Sequence, residues 1–197
     1  MSNKKQSPYG SWESAITPKK IIEGGLKFNE VRIDNNDIYF LEGRPSESGR
    51  NVILKHNSDG TTTDIITDNF NSRNAVHEYG GGSFVVSGGV VFFTNWEDQL
   101  IYKVFEDKII PITESSDIPM GIRYADLTLS NDGKWIFCVR ETHNEGKEAK
   151  NELVAVSTTS SETVVLASGR DFYSSPRPNP VSNQICWLEW DHPNMPW

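Results

Sequence analysis

The feature of this sequence that most constrains its fold is the regular alternation of short apolar runs with polar turns. The runs are rich in β-branched and aromatic residues, as in Val90–Asn95 and Ile101–Phe105. Turn-forming sequences such as Ser87-Gly88-Gly89 and Asn131-Asp132-Gly133 separate them. No long stretch repeats apolar residues at helical spacing. The pattern therefore predicts an all-β protein.

A larger repeat groups these strands in fours. An aromatic residue, here called the anchor, recurs in the second strand of each group at Phe40, Phe92, Phe137 and Trp187. The anchors are separated by 52, 45 and 50 residues, close to the roughly 40 to 50 residues of a four-stranded propeller blade. We expect the anchors to be buried between neighbouring sheets.

The repeat predicts a β-propeller fragment of about three four-stranded blades plus the start of a fourth. The blades fall at about 27–68, 72–114 and 119–168, with a partial blade at 172–197 and an N-terminal extension at 1–26. Propellers close at roughly four to eight blades, so this pattern is typical of part of a larger fold. A β-sandwich is the alternative, and the grouping in fours argues against it.

The composition indicates which partners the protein is expected to have and in which cellular compartment it is expected to lie. The formal net charge of −8 and the pI of about 5.0 disfavour a nucleic-acid partner. The longest apolar runs, such as Val90–Phe93, are too short to cross a membrane. The two cysteines, Cys138 and Cys186, lie in strand-like runs and are interpreted as small buried apolar residues. These features favour a cytoplasmic protein without a cofactor.

Two motifs carry a family resemblance. They are His77-Glu78-Tyr79-Gly80-Gly81-Gly82, and the segment from Tyr173-Ser174-Ser175-Pro176-Arg177 to Trp190-Asp191-His192-Pro193-Asn194-Met195-Pro196-Trp197. Both are similar to the propeller of the prolyl oligopeptidase family, in its acylaminoacyl-peptidase and dipeptidyl-aminopeptidase branch. The resemblance implies the N-terminal portion of a serine peptidase that cleaves short peptides. The propeller would act as a substrate-gating cap on a C-terminal α/β-hydrolase domain.

The chemistry of that family cannot be assigned to this chain. Its Ser-Asp-His triad belongs to the hydrolase domain, and no serine here lies in the G-x-S-x-G pattern of a nucleophile elbow. We therefore expect the chain alone to be inactive. The alternative function is a non-enzymatic interaction module similar to the Tol-type propellers.

Glu78 and Tyr79 are the first candidate substrate-binding residues. The resemblance places them at the mouth of the propeller channel, where a carboxylate can hold the cationic amino terminus of a peptide. In the structural alternative, Gly80, Gly81 and Gly82 bring an inner strand close to the axis, and His77 and Glu78 bond to neighbouring backbone. That alternative is favoured for His77, and both remain open for Glu78. No metal is expected, because no second His or Cys stands at ligand spacing.

Arg177 is the third candidate. The flanking prolines Pro176 and Pro178 stiffen its segment, so its guanidinium could meet a peptide carboxylate or carbonyl. Linking two blades through an acidic residue is the favoured alternative. Asp191-His192 is interpreted as stabilising a turn. An incomplete propeller also predicts self-association, through Ile185, Trp187 and the segment 195–197.

Overall fold

The computed structural model describes residues 6–22 and 25–196, and it confirms the all-β prediction. Among these residues, 14 strands form four antiparallel sheets, here called sheets 1 to 4. Sheet 1 comprises β1 Lys27–Asp34, β2 Asp37–Arg44, β3 Arg50–His56 and β4 Thr62–Asp64. Sheet 2 comprises β5 Phe84–Ser87, β6 Val90–Thr94, β7 Ile101–Phe105 and β8 Lys108–Pro111. Sheet 3 comprises β9 Ile122–Leu129, β10 Trp135–Thr142, β11 Lys150–Ser157 and β12 Thr163–Ser168, and sheet 4 comprises β13 Phe172–Pro178 and β14 Ile185–Trp190.

Helical structure is limited to short segments. A helix, α1, spans Pro18–Ile22, and 3-10 turns span Pro45–Glu47 and Val76–Glu78. No helix in the described ranges is long and apolar enough to cross a membrane.

The sheets are arranged as propeller blades. Within each sheet the strands are paired in chain order by hairpins. The first strands β1, β5, β9 and β13 contact one another in succession, so they form the inner wall around which the sheets radiate. Three sheets have four strands and the last has two, as the sequence predicts. A sandwich would instead have packed the sheets face to face in one shared core.

Each pair of neighbouring sheets encloses its own apolar layer. Tyr39 and Leu41 of sheet 1 pack against Phe93 of sheet 2, and Phe92 packs against Ile136 of sheet 3. Val139, Leu153 and Tyr173 fill the layer between sheets 3 and 4, with Trp187 packed at its side. Burial of such side chains contributes about 1.5–3 kcal/mol each, so every layer stabilises the radial arrangement.

The anchor prediction is correct for strand placement and wrong for uniform burial. All four anchors lie on the second strand of their sheet, but only Phe92 is fully buried, at 4% exposure. Phe40 and Phe137 are half-buried. Phe40 alternates with Tyr39 and Leu41 along β2, so its side chain lies on the opposite face of sheet 1, beside Leu54 of β3. A one-residue shift in register exchanges the two faces of a strand, and sequence spacing alone does not detect it.

Bulges on the inner strands link the sheets. Glu30, Asp126 and Ser175 lie in β1, β9 and β13 with positive φ angles of 43°, 59° and 53°, each at a break in strand register. The Glu30 carboxylate accepts from Ser83 N–H at 3.0 Å. The Asp126 carboxylate accepts from Gly82 N–H and Ser175 N–H, both at 2.8 Å. One carboxylate on sheet 3 thus joins the segment that leads into sheet 2 and the first strand of sheet 4.

The outer face of sheet 1 is an exposed apolar surface. Phe28, Val31 and Ile33 are 63%, 61% and 74% exposed, and Ile38 is 41% exposed. Phe40 lies on the same face, in edge-to-face contact with Phe28 at 5.7 Å. The corresponding faces of sheets 2 and 3 are covered by a neighbouring sheet. Sheet 1 therefore presents a blade face without a neighbour.

The two cysteines differ in burial. Cys138 is fully buried in the layer between sheets 2 and 3, as predicted. Cys186 is exposed, so its predicted burial is wrong. It lies on β14, and the two-stranded sheet 4 has no further sheet over that face among the described residues. Both cysteines are free thiols.

Candidate functional site

The His77-Glu78-Tyr79-Gly80-Gly81-Gly82 motif forms a tight turn ahead of β5. His77, Glu78 and Gly80 have positive φ angles of 53°, 68° and 80°. A Cβ atom on Gly80 would lie 2.7 Å from the Asn74 carbonyl oxygen, and one on Gly81 would lie 2.6 Å from a carboxylate oxygen of Asp126. The glycines are therefore needed for close approach to the inner wall. His77 and Glu78 lie in a 3-10 turn.

Arg123 of β9 ties this turn to sheet 3. Its Nη1 donates to the Ala75 carbonyl at 2.8 Å and to the carboxylates of Glu78 at 2.7 Å and Glu141 at 3.2 Å. Its Nε donates to the Met120 carbonyl at 3.1 Å. The guanidinium beside Glu78 holds the pKa of that carboxyl below its ordinary value. Glu78 is therefore ionised at neutral pH and fixed in place by Arg123.

A cavity of about 190 Å³, here called the histidine pocket, opens beside the turn. It is lined by three of the four histidines, by four acidic residues, and by Asn151 and Phe172. These histidines and acidic residues are His77, His143, His192, Glu78, Glu141, Glu148 and Asp171. The wall comes from the turn before β5, the β10–β11 connection, the start of β13 and the residue pair after β14. All lie at the end of the sheets where the inner strands begin.

Glu141 is the buried centre of the pocket wall. It is 2% exposed and accepts from His77 N–H at 2.8 Å and from Arg123. His143 Nε2 lies 2.6 Å from the same carboxylate. These partners compensate the burial of the charge. Because β10 continues to Thr142, Glu141 lies within this strand and not in the connection that follows it.

Three side chains of the pocket have possible metal-binding atoms close together. The atoms of Glu78, Glu141 and His143 lie within 4.8 Å of one another. A divalent cation prefers such donors. However, Nη1 of Arg123 already lies within hydrogen-bond distance of both carboxylates. The guanidinium thus fills the cationic position in this cluster.

The second half of the pocket is built around Asp171. Its carboxylate accepts from the His192 N–H at 2.9 Å and also contacts His192 Nδ1 at 2.9 Å. Asp191 in turn accepts from the Asp171 N–H at 3.0 Å and pairs with Arg170. Asp191 and His192 therefore close the end of the β13–β14 hairpin, consistent with the turn-stabilising interpretation.

The structure separates the three predicted binding residues. Glu78 lines the histidine pocket, whereas Tyr79 lines a neighbouring open cavity of about 400 Å³ with Glu30 and Gly82. Arg177 lies elsewhere on β13, exposed, and donates to the adjacent Pro176 carbonyl at 2.7 Å. The salt bridges among the described residues do not include Arg177, and its link between blades stays a prediction.

The sequence did not point to Arg123, Asn151 or Asp171. Each lies in or beside an apolar strand pattern and has no motif around it. Arg123 and Asn151 make contacts between sheets, with Ala75 and Asp171, at separations of 48 and 20 residues. Asp171 meets His192, 21 residues away, across the open end of the β13–β14 hairpin. Only the folded arrangement of the strands brings these residues together.

The radial sheets and the inner wall define the class of protein as a β-propeller. The described residues form an incomplete propeller. The comparisons then confirm the resemblance seen in the sequence, because the chain has the structure of the N-terminal propeller portion of a peptidase of the prolyl oligopeptidase family. No family model matches the chain, and no curated protein matches it in sequence.

Among solved structures, a puromycin-hydrolysing peptidase of Mycobacterium tuberculosis is similar over 98% of this chain, with 31% identity and a TM-score of 0.86. A puromycin hydrolase is similar over 97%, with 27% identity and a TM-score of 0.84. The chain spans 32% of the length of each. TolB from Acinetobacter baumannii has a TM-score of 0.58 at 15% identity and shows the fold alone.

Proposed function

We propose that this chain is the non-catalytic propeller portion of a cytoplasmic serine peptidase, which gates and positions short peptides for a C-terminal α/β-hydrolase domain. The observation that carries the proposal is the match to two puromycin-hydrolysing enzymes over nearly the whole chain but only 32% of their length. One related structure is that of a serine-to-alanine variant of puromycin hydrolase complexed with PGG. The free thiols Cys138 and Cys186 fit a reducing compartment.

The topology suggests which end of the propeller faces the hydrolase domain. The chain enters β1 at the end where all the inner strands begin, and the histidine pocket lies at that end. A domain joined to either terminus of a closed propeller is attached at this same end. Glu78 would then meet the cationic amino terminus of a peptide, and Tyr79 would line the route along the axis.

The test uses the full product of the reading frame that encodes this chain. We expect hydrolysis of a short chromogenic peptide and no cleavage of the same sequence placed in a loop of a folded protein. Glu78→Gln should raise KM for peptides with a free amino terminus and leave KM for N-acetylated peptides unchanged. Equal cleavage of the folded substrate would contradict the gating function.

The Tol-type interaction module remains the second candidate, supported by the similarity in fold to TolB. That similarity is weaker in sequence and in TM-score than the similarity to the peptidases. If the full product of the reading frame has no peptidase activity, the interaction module is favoured.

A further inference from the structure

The histidine pocket carries a strong excess of negative charge. Four carboxylates line it, and among the described residues only two of them, Glu78 and Glu141, form a salt bridge with an Arg or Lys side chain, that of Arg123. Arg123 is held by four acceptors, so it is not free to compensate the others. Burial lowers the pKa of His77, and the neighbouring Glu141 and Asn151 only partly offset this. His77 is therefore neutral at neutral pH and does not repel a cation.

The pocket wall also holds a buried acceptor without a hydrogen-bond partner. Oδ1 of Asn151 makes no hydrogen bond among the described residues. Asn151 is 4% exposed, and its Nδ2 donates to the Asp171 carbonyl at 2.8 Å, which fixes the amide. An unsatisfied buried acceptor destabilises the folded state. A ligand whose N–H donor reaches Oδ1 of Asn151 would relieve this cost.

An aromatic wall completes the pocket. Phe172 is stacked on Trp190 at 5.4 Å and contacts the rings of His77 at 5.1 Å and His192 at 4.8 Å. Flat aromatic surfaces beside carboxylates favour planar cations, which stack on the rings while donating hydrogen bonds at their edges.

We propose that the histidine pocket binds the guanidinium group of an arginine side chain carried by a peptide. Two carboxylates are available to it: Glu148, whose nearest ionic contact is His192 Nε2 at 3.9 Å, and Asp171. The inference deepens the proposed function, because it names the class of peptide that would be positioned at this end.

The shape of the pocket selects arginine over the other cations of a peptide. A volume of about 190 Å³ exceeds the needs of an ammonium group alone. An α-amine is attached directly to the backbone, whereas an arginine side chain can reach Asn151 at the buried side of the pocket. The five N–H donors of guanidinium also match the several acceptors better than the compact lysine ammonium does.

The test is calorimetric titration of the 197-residue chain at low ionic strength with four blocked or unblocked tripeptides. Acetyl-Gly-Arg-Gly amide is the ligand, and its citrulline analogue is the neutral control of nearly the same shape. Acetyl-Gly-Lys-Gly amide and Gly-Gly-Gly amide represent the lysine side chain and the free amino terminus. We expect the arginine peptide to bind at least tenfold more tightly than each of the other three.

A matched pair of variants locates the binding. Glu148→Gln removes a carboxylate of the pocket wall and should weaken binding of the arginine peptide three- to tenfold. Glu145→Gln makes the same change in the same connection, outside the pocket, and should leave binding unchanged. Both side chains are exposed, so neither change should unfold the protein.

Equal binding of the arginine and citrulline peptides, or of the arginine and lysine peptides, would overturn the proposal. So would equally tight binding of Gly-Gly-Gly amide, which would make the pocket a site for an amino terminus. No detectable binding, or an equal effect of the two variants, would also refute it. Because the titration needs no catalysis, its failure is distinguishable from failure of the peptidase function.

Discussion

At the scale of single residues, a few carboxylates hold the inner wall together. Asp126 accepts backbone N–H groups from sheet 4 and from the segment that leads into sheet 2, and Glu30 accepts one from that same segment. Neither residue belongs to a recognisable motif, and both lie at bulges with positive φ. The sequence could indicate their strands but not these links, because a bulge changes where a side chain points without changing the apolar pattern.

The first prediction concerns Asp126. In Asp126→Asn, an amide NH₂ replaces one oxygen and faces either the Gly82 or the Ser175 N–H, leaving that donor without an acceptor. We expect the free energy of unfolding to fall by about 1–3 kcal/mol, measured by urea denaturation. Asp107→Asn is the control: it makes the same change at an exposed position that also has positive φ. An equal effect of both substitutions would contradict the link.

The second prediction concerns pH. Burial raises the pKa of Glu30 above its ordinary value of 4.5. Between the unfolded and the folded pKa, the folded state binds more protons, so this group reduces stability as pH rises above about 4.5. In Glu30→Gln the residue no longer titrates. We therefore compare the free energy of unfolding of the natural chain with that of Glu30→Gln. The natural value minus the variant value should fall as pH rises from 4 towards 7. A difference that increases over this range would refute the raised pKa of Glu30.

At the scale of elements, the strands and their grouping in fours follow from the sequence, whereas the face of each strand does not. Phe92 and Phe40 hold similar places in the repeat, but only Phe92 is covered by a following sheet. The sequence also did not predict the conformation of the turn before β5. That conformation depends on contacts between the turn and sheet 3, which involve Gly81 in the turn and Glu141 in sheet 3.

This difference gives the third prediction. Phe92→Ala should lower the free energy of unfolding by about 3–5 kcal/mol, because it leaves a cavity in a closed layer. Phe40→Ala should cost less than about 2 kcal/mol, because the ring is already partly in water. Urea denaturation of the two variants measures both values. Equal costs would mean that the outer face of sheet 1 is covered in solution.

At the scale of the whole molecule, the two ends of the blade series differ. The predicted association surface, Ile185 and Trp187 with 195–197, is only partly exposed: Ile185 and Trp187 are half-buried, Met195 is 47% exposed, and Trp197 lies outside the described residues. The larger apolar surface is the outer face of sheet 1, with Phe28, Val31 and Ile33. Self-association remains a prediction, and the structure favours this face for it.

The fourth prediction tests that face. Light scattering of the natural chain over a concentration series should show a mass that rises above that of the monomer. Ile33→Ser should reduce the rise more than Trp187→Ser does, because Ile33 is 74% exposed and Trp187 is largely packed on sheet 3. A monomer mass at all concentrations for the natural chain would show that the outer face is protected.

The central claim is that this chain supplies a propeller and not the chemistry of a peptidase. The most direct measurement is labelling by a fluorophosphonate probe, compared between the 197-residue chain and the full product of the reading frame that encodes it. We expect no labelling of the 197-residue chain and stoichiometric labelling of one serine outside residues 1–197 in the full product. Stoichiometric labelling of a serine within the 197 residues, together with hydrolysis of a peptide substrate by the chain alone, would contradict it.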